Sequence, residues 1–315
     1  MARKLRFVPP GSVVEITARA VQSRFLLKPG PGWRETFAGA LARARERYKV
    51  DIHDFVCLST HLHLLLSPEN ARELAGFMRH FLSTLSLEAA KRHGWGGPLF
   101  QRRYQTILVS GEVRAQEARL RYLLAHGVKE NLVASVAEWP GPHSGPVWLA
   151  GGRAEGVWHD RTRAWVLRKR RESAEREEIF VPCELELTPL PCWADLSPEQ
   201  YRAKIGHIIR EVEKEAAERR RANGLPYLGA RRVLDQDPQA TPLQTKKSPA
   251  PFCHAFLRMV RVEMWKAYVR FLLAYREAAD RLRRGEERVA VAFPPGSFPP
   301  PMPFSPAVPA VLGVP

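Results

Sequence analysis

Two histidines separated by one leucine lie in an apolar, strand-like stretch of the chain, in the order His61-Leu62-His63. In a β-strand, residues two apart face the same side of the sheet, so both imidazole rings are expected to point to one spot. Imidazole is a common ligand of divalent metals, and the pattern therefore predicts half of a metal site. The alternative is a pair of half-buried, hydrogen-bonded histidines, because patterns this short also recur by chance.

A predicted helix over residues 114–126 carries two more residues suited to chemistry, Tyr122 and His126. They are four residues apart and are therefore neighbours on one helical face. The packing stripe of this helix is formed by leucines, namely Leu120, Leu123 and Leu124. Tyr122 is thus a candidate nucleophile for attack on a phosphodiester, and His126 a candidate third metal ligand. The alternatives are a tyrosine of the core and a histidine favoured by the helix dipole.

The charge of the chain predicts a polyanionic partner. Its 315 residues contain 49 Lys and Arg against 33 Asp and Glu, a net charge of +16. Nucleic acid is the first expectation, and an anionic membrane surface the second. No stretch has the length and apolarity of a membrane span, and the N-terminus lacks the apolar centre of a signal peptide, so a cytoplasmic protein is expected. The four cysteines are scattered, which indicates neither a zinc knuckle nor a disulfide framework.

The elements that must position these residues follow one another in the first half of the chain. Periodicity predicts strands over 12–20, 52–59, 61–67 and 103–110, and helices over 34–48, 70–93 and 114–126. Asn70 is the predicted cap of the second helix, with Glu73 completing a capping box. The order β-α-β-β-α-β-α predicts an α+β protein of the ferredoxin-like split βαβ type, with an antiparallel sheet and helices on one face.

Three parts of the chain are predicted. Residues 1–150 form the catalytic domain, residues 151–290 a basic and mainly helical extension, and residues 291–315 a Pro-rich tail that is expected to be disordered. Within the extension, helices are predicted over 197–222 and 252–284 and a loop or linker over 224–250. Residues 151–195 show no clear architecture.

Three segments of the first part resemble one known family. His61-Leu62-His63 is similar to the HUH motif, a histidine, an apolar residue and a histidine on a central strand. Residues 97–104, Gly-Pro-Leu-Phe-Gln-Arg-Arg-Tyr, resemble the Leu-Trp-Gln-x-Arg-Phe/Tyr segment of the same proteins. Residues 121–133 resemble their Arg-Tyr-Ile-x-Leu-Asn-Pro-Val-Arg-Ala-Gly-Leu-Val helix and exit. The family is the single-tyrosine HUH transposases related to insertion sequence 200, and the most similar branch is the REP-associated tyrosine transposases.

The resemblance implies a mechanism and partners. His61 and His63 would bind Mg²⁺ or Mn²⁺, and Tyr122 would attack single-stranded DNA to give a 5′-phosphotyrosine and a free 3′-OH. The implied role is DNA transposition of a mobile element by a homodimer that recognises DNA hairpins, with no membrane and no small-molecule cofactor. The chain departs from the family at Thr60, where Asn is common, and at His126, where Asn or Gln is common. Because three nitrogens form a softer site than Mg²⁺ prefers, Mn²⁺ becomes the favoured ion.

Basic and aromatic residues near these motifs are the predicted DNA contacts: Arg102, Arg103, Tyr104, Arg119, Arg121 and Lys129. The arginines and the lysine would pair with phosphates, and the tyrosine would stack on unpaired bases. The alternative for each basic residue is an ordinary solvated surface.

Three other functions stay open. The first is a domesticated relative that binds hairpin DNA or RNA without cutting it, which Thr60 and His126 favour slightly. The retention of His61, His63 and Tyr122 favours the enzyme instead. The others are a plasmid-type replication initiator, whose motif order fits less well, and an unrelated RNA-binding ferredoxin-like domain.

Overall fold

The fold is seen in a computed structural model, which describes residues 5–170, 176–243, 251–287 and 290–299. Residues 300–315 of the predicted Pro-rich tail lie outside the described residues. No helix in the described ranges is both long enough and apolar enough to cross a membrane.

The first half of the chain builds a four-stranded antiparallel sheet. Its elements are β1 (Val13–Arg19), α1 (Trp33–Arg47), β2 (Val50–Cys57), β3 (His61–Pro68), α2 (Ala71–His93), β4 (Gln105–Val109) and α3 (Val113–Leu124). The strands lie in the order β2-β3-β1-β4, and each neighbouring pair is antiparallel. This is the ferredoxin-like arrangement, so the predicted α+β class and the element order are confirmed.

The side chains of β3 alternate between the two faces of the sheet. Leu62 and Leu64 point to one face and His61 and His63 to the other, because successive residues of a strand alternate. The leucine face is covered by α1 and α2. Phe55 is the cross-strand partner of Leu64, and its ring centroid lies 5.5 Å from that of Phe37 in α1. The ring centroid of Phe37 lies in turn 5.3 Å from that of Phe81 in α2. The helix layer that was predicted covers the leucine face, and a further helix, α3, lies on the histidine face.

The start of α2 differs in one detail from its prediction. The Asn70 side chain accepts hydrogen bonds from the backbone N–H groups of Arg72 and Glu73 at 2.9 and 3.1 Å, as an N-cap should. Glu73 does not complete a capping box. Its carboxylate accepts a hydrogen bond from the backbone N–H of Lys49 at 2.8 Å, which ties the helix to the entry of β2.

The second half adds helices and two strand pairings. Its elements are α4 (His126–Lys129), α5 (Ser144–Leu149), β5 (Arg153–His159), α6 (Arg161–Arg170), α7 (Arg176–Ile179), β6 (Phe180–Glu186), α8 (Pro198–Asn223), α9 (Ala230–Leu234), β7 (Cys253–His254) and α10 (Arg258–Arg283). The predicted helix over 197–222 is confirmed as α8, which begins with a capping box of Ser197 and Gln200. The predicted loop over 224–250 contains the short helix α9, and its residues 244–250 lie outside the described ranges.

Two expectations for the second half are wrong. Residues 151–195 do have an architecture, since β5 and β6 form an antiparallel two-stranded sheet. The helix predicted over 252–284 begins only at Arg258, because Cys253 and His254 pair in parallel with β4. The division of the chain into three parts stays a prediction.

The two-stranded sheet of β5 and β6 packs against α1 through two glycines. A Cβ atom at Gly39 would lie 2.3 Å from the carbonyl oxygen of Val157, and one at Gly156 would lie 2.5 Å from the backbone nitrogen of Gly39. Only hydrogen atoms fit between the two backbones. This small sheet can therefore lie directly on the helix.

A buried histidine predicts how stability depends on pH. The Nδ1 of His143 accepts the backbone N–H of Gly145 at 2.9 Å and its Nε2 donates to the carbonyl of Leu124 at 3.2 Å, so the ring is neutral. Burial lowers the pKa of His143 from 6.5 to about 4. Between these values the unfolded chain binds a proton that the folded chain does not. The free energy of unfolding should therefore fall as the pH falls through this window.

The variant His143→Asn keeps an acceptor at the start of α5 but removes the titrating ring. Its free energy of unfolding should depend less steeply on pH, by up to about 1.4 kcal/mol per pH unit. Denaturant unfolding of both proteins at several pH values between 4 and 6.5 measures the two slopes. Equal slopes would show that His143 titrates normally in the fold.

Candidate metal centre and its neighbouring tyrosine

Three histidines come together on the sheet face beneath α3. The ring centroids of His61 and His63 are 5.1 Å apart, those of His61 and His126 are 5.1 Å apart, and those of His63 and His126 are 4.8 Å apart. The Nε2 atoms of His61 and His126 are 3.0 Å apart. One ligand atom from each ring lies within 4.8 Å of the others. The structure thus brings together all three residues that the sequence predicts as metal ligands.

The register of the sheet and the end of α3 place these rings. In the central strand β3, His61 lies opposite Arg19 and His63 opposite Thr17 of β1. The helix that was predicted to run to residue 126 ends at Leu124, and His126 begins the short helix α4. This break directs the third imidazole down to the sheet.

Hydrogen bonds orient two of the three rings. The Nδ1 of His63 lies 2.9 Å from a carboxylate oxygen of Glu15 and 3.2 Å from the hydroxyl of Thr17. The Nδ1 of His61 lies 2.8 Å from the hydroxyl of Thr60. An Nδ1–H that donates to such a partner leaves the lone pair of Nε2 for a metal, which is the usual support of a metal-binding histidine. Thr60, which departs from the resembled family, thus supplies a hydrogen-bond partner for the first of the three histidines.

Glu15 links the histidines to the C-terminal part of the chain. Its carboxylate, which is only 3% exposed, lies 2.9 Å from Nε2 of His254 and 3.5 Å from the guanidinium of Arg119. Burial opposes ionisation of Glu15, but hydrogen bonds from His254 and His63 hold its pKa well below the usual range. Glu15 is therefore a buried anion beneath the cluster.

Three residues of this site, Glu15, Thr17 and His254, were not predicted from the sequence. A signal for the first two exists, because Glu15, Thr17 and Arg19 are polar residues at alternate positions of an otherwise apolar strand. Such alternation places them on one face of the sheet. No local signal marks His254, which reaches Glu15 only because β7 pairs with β4.

The electrostatics of the cluster suit a metal cation. Burial, together with repulsion from His63, lowers the pKa of both His61 and His126 well below 6.5, so these rings are neutral near pH 7. Neutral imidazole is the form that binds metals. The Nδ1 of His126 is buried and has no hydrogen-bond partner among the described residues. Three nitrogen donors fit Mn²⁺ or a related transition ion better than Mg²⁺, which prefers oxygen.

Tyr122 lies next to this cluster. Its ring centroid is 5.6 Å from that of His63 and 5.1 Å from that of His126. The guanidinium carbon of Arg119 and the Nζ of Lys129 lie 4.8 and 4.2 Å from the centre of the tyrosine ring. Burial and the charge of Glu15 raise the pKa of Tyr122, so the phenol is protonated at neutral pH.

The predicted DNA contacts lie in different surroundings. Arg102 and Arg103 are exposed. Arg121 is held by two carboxylates of α8, those of Glu211 at 2.7 Å and Glu215 at 2.5 Å, so its position is explained by helix packing. Tyr104 does not present a free ring for base stacking: it is 9% exposed and the Arg6 guanidinium lies 4.3 Å above the ring. Arg119 and Lys129 remain the two candidates beside the tyrosine.

Replacement of the buried Glu15 carboxylate tests whether it supports metal binding by the three histidines. The variant Glu15→Gln should bind Mn²⁺ roughly 10- to 100-fold more weakly, because such hydrogen-bonding partners orient metal-binding histidines and raise their basicity. Electron paramagnetic resonance titration of free Mn²⁺ measures the affinity, and circular dichroism checks the fold. Glu69→Gln, which alters an exposed carboxylate just after the same sheet, is the matched control. Equal affinities in the two variants would remove Glu15 from the site.

The fold and the site together define an α+β protein with a three-histidine cluster beside a tyrosine. No family model and no curated protein matches the chain. Among solved structures, a REP-associated tyrosine transposase bound to a REP hairpin matches with a TM-score of 0.40 and 18% identity, over 48% of this chain and 87% of that chain. A chain provisionally described as a transposase from Deinococcus radiodurans R1 matches with a TM-score of 0.27 and 15% identity, over 34% of this chain and 85% of that chain. Both TM-scores are too low to assign an activity or a substrate.

Proposed function

We propose that this chain is a transposase-like enzyme that cleaves and rejoins single-stranded DNA through Tyr122. The observation that carries the proposal is the position of the Tyr122 ring, 5.6 Å from His63 and 5.1 Å from His126. A phenol beside a cluster of metal-binding imidazoles is the set of groups that a metal-dependent attack on a phosphodiester needs. The resemblance of the three sequence motifs supplies the substrate class, DNA with a hairpin, and the role in DNA transposition.

The three histidines His61, His63 and His126 would hold the divalent cation, with Mn²⁺ preferred to Mg²⁺. When bound there, a cation would polarise a phosphodiester oxygen and offset the charge of the transition state. Glu15 and Thr60 keep the Nε2 atoms of His63 and His61 free for this role.

The covalent step is a transfer of the phosphoryl group to the phenol. The oxygen of Tyr122 forms a bond to phosphorus, and the bond between phosphorus and the 3′-oxygen of the preceding nucleotide breaks. The phenol releases its proton to water and the 3′-oxygen takes one up, so the products are a 5′-phosphotyrosine and a free 3′-OH. Attack by a 3′-OH on the phosphotyrosine reverses the step and joins strands.

Two cations next to Tyr122 assist this transfer. The charge of Arg119 opposes the rise in the pKa of Tyr122 that burial causes. Arg119 and Lys129 both lie over the phenol ring, and we expect them to pair with phosphates of the bound strand. They favour the phenolate as the attack proceeds.

A basic groove gives the DNA strand a path across α3. One depression beside Tyr122 is lined by Arg119, Lys129 and Arg219, and a second shares Ala118 and Arg119 with it. The second continues toward the C-terminal part of the chain, where its lining includes Arg114, Phe256 and Arg261. The guanidinium of Arg114 lies 4.9 Å from the centre of the Phe256 ring, which is 57% exposed. Charged and aromatic side chains in one groove are typical of single-strand binding.

Incubation with a labelled hairpin oligonucleotide tests the proposal. Full-length protein should form a DNA adduct that survives detergent when Mn²⁺ is present and none when the metal is chelated. Size-exclusion chromatography with light scattering tests the homodimer that the resemblance implies.

A second candidate function is a domesticated protein that binds hairpin DNA or RNA without cutting it. The raised pKa of Tyr122 favours this candidate, since a protonated phenol is a poor nucleophile. Tight binding of the hairpin without an adduct at any metal concentration would select it over the enzyme.

A further inference from the structure

A cavity separate from the two depressions along α3 lies beside the part of β4 that β7 leaves uncovered. Its volume is about 290 Å³. Its walls come from three separate parts of the chain, which are the N-terminal arm around Arg6, the segment that leads into β4, and the C-terminal residues Phe252 and Tyr268. Thr106 in its wall is the cross-strand partner of Ile16, which alternates with Glu15 and Thr17. The cavity therefore lies away from the histidine face of the sheet.

Buried polar atoms with few partners lie in the wall of this cavity. The Nε and Nη1 atoms of Arg6 and the hydroxyls of Tyr104 and Thr106 are buried there. The Arg6 guanidinium and the Tyr104 hydroxyl interact with each other, and the Thr106 hydroxyl has no hydrogen-bond partner among the described residues. Buried polar groups of proteins are almost always paired. The Thr106 hydroxyl and the remaining guanidinium nitrogen therefore indicate a bound group that carries hydrogen-bond acceptors.

The charge of the wall selects an anion. The guanidinium of Arg6 lies between two aromatic rings, 4.3 Å from the centre of Tyr104 and 4.5 Å from that of Phe298. Arg102 and Arg103 also line the cavity, and no acidic side chain among the described residues does. Burial and the neighbouring Arg103 lower the pKa of Arg6, but a guanidinium stays charged at neutral pH. A planar guanidinium without a carboxylate partner is a typical phosphate site.

The opposite wall is aromatic. The rings of Phe252 and Tyr268 have centroids 4.9 Å apart, and Phe7 lies 6.3 Å from Tyr268. Tyr268 is only 6% exposed and packs within the wall, whereas the half-buried ring of Phe252 can stack on a nucleobase with little dependence on sequence. A phosphate site and a base-stacking wall in one cavity of this volume match a single nucleotide.

We propose that this cavity binds one unpaired nucleotide of the DNA strand, with its phosphate on Arg6 and its base against Phe252. That the nucleotide belongs to a DNA strand rests on the proposed function. A free mononucleotide has the same phosphate and base and is the other ligand that the cavity could bind. The cavity would hold DNA at a second point, outside the tyrosine site, and so fix the register of the strand that Tyr122 cleaves.

Binding experiments with full-length Tyr122→Phe protein, which cannot form the adduct, test this site. The probes are a short oligothymidylate, an abasic strand of the same length, thymidine 5′-monophosphate and inorganic phosphate, each measured by titration calorimetry. Loss of the bases should weaken strand binding about tenfold, because stacking contributes that much per base. The oligothymidylate should bind more tightly than the mononucleotide, and the mononucleotide more tightly than phosphate.

One conservative variant separates ligand binding from a structural role. Thr106→Val removes an unpaired buried hydroxyl, so the unfolding temperature should stay the same or rise. The affinity for oligothymidylate should nevertheless fall severalfold, because a hydrogen bond to the ligand is lost. Arg6→Gln should weaken binding about tenfold, since it removes a charge-assisted phosphate contact. Arg232→Gln, which removes one positive charge from an exposed position, should have little effect.

Several results would overturn the proposal. The first is an equal loss of oligothymidylate affinity in Arg6→Gln and Arg232→Gln. The second is an abasic strand that binds as tightly as oligothymidylate, and the third is a Thr106→Val variant with wild-type affinity. The fourth is inorganic phosphate that binds as tightly as the mononucleotide. If oligothymidylate cannot displace the bound mononucleotide, the nucleotide in this cavity does not come from a DNA strand. Failure of the wild-type protein to form an adduct, with these affinity losses retained, would remove the proposed cleavage but leave the nucleotide site.

Discussion

The variant Tyr122→Phe is expected to lose the covalent DNA adduct by a factor of at least about 10³, because it removes the only atom proposed to attack phosphorus. The change deletes one hydroxyl and keeps the ring. The contacts of that ring with His63 and His126 and the cations above it should persist. Affinity for a hairpin with a single-stranded extension should therefore remain at the wild-type level. Gel analysis of the adduct and fluorescence anisotropy of the labelled DNA measure the two quantities.

Tyr227→Phe is the matched control for this experiment. Tyr227 is 47% exposed and also has a cation over its ring, with the guanidinium carbon of Arg220 at 5.6 Å, but it lies outside the histidine cluster. Its replacement should leave adduct formation unchanged. An adduct of normal yield in Tyr122→Phe, or its loss in Tyr227→Phe, would contradict the assignment of the nucleophile.

The variant His126→Ala is expected to reduce the affinity for Mn²⁺ by at least about 100-fold, more than the loss of a supporting hydrogen bond costs. His126 is the ligand that the sequence motifs leave most in doubt, yet its Nε2 faces that of His61 at 3.0 Å. Its removal leaves two nitrogen ligands, which hold a divalent cation weakly. Titration of Mn²⁺ followed by electron paramagnetic resonance measures the change, and adduct formation should fall with it.

A second substitution at this position reports on ion preference. His126→Asn replaces a nitrogen donor with an amide oxygen, so the preference for Mn²⁺ over Mg²⁺ should become smaller. His207→Ala, which removes an exposed histidine on α8, is the control and should bind Mn²⁺ normally. Unchanged Mn²⁺ affinity in His126→Ala would show that this ring is only a neighbour of the site.

Periodicity in the sequence predicted the elements that form the site. The alternation of leucine and histidine in β3 places both imidazoles on one face, and the leucine stripe of α3 turns Tyr122 to the other side. These are local properties, because the side-chain direction follows from the spacing within one element. The ferredoxin-like order then brings β3 and α3 together.

The partners of these residues depend on pairings that no local pattern reveals. Glu15 contacts His63 because Thr17 lies opposite His63 in the register of β1 and β3. A shift of one residue would turn Glu15 to the leucine face. His254 reaches Glu15 through the parallel pairing of β7 with β4, between segments far apart in the sequence.

The exposure of side chains explains two further differences between the prediction and the structure, at the strands β5 and β6 and at Tyr104. The strands β5 and β6 have mostly exposed or half-buried side chains, so they lack the apolar alternation that marks a strand on a core. Tyr104 follows two arginines in the sequence, which suggested a stacking surface. The N-terminal arm buries it instead beneath Arg6, a contact that only the folded chain creates.

Identification of the residue that carries the DNA tests the proposed tyrosine nucleophile. The adduct formed with single-stranded hairpin DNA and Mn²⁺ would be digested with nuclease and protease, and the phosphorylated peptide identified by mass spectrometry. We expect a 5′-phosphate on Tyr122 when the metal is present, and no phosphopeptide from chelated protein or from His63→Ala. A phosphate on a different residue, or an adduct on Tyr122 that forms equally without the metal and in His63→Ala, would contradict a metal-dependent tyrosine nucleophile.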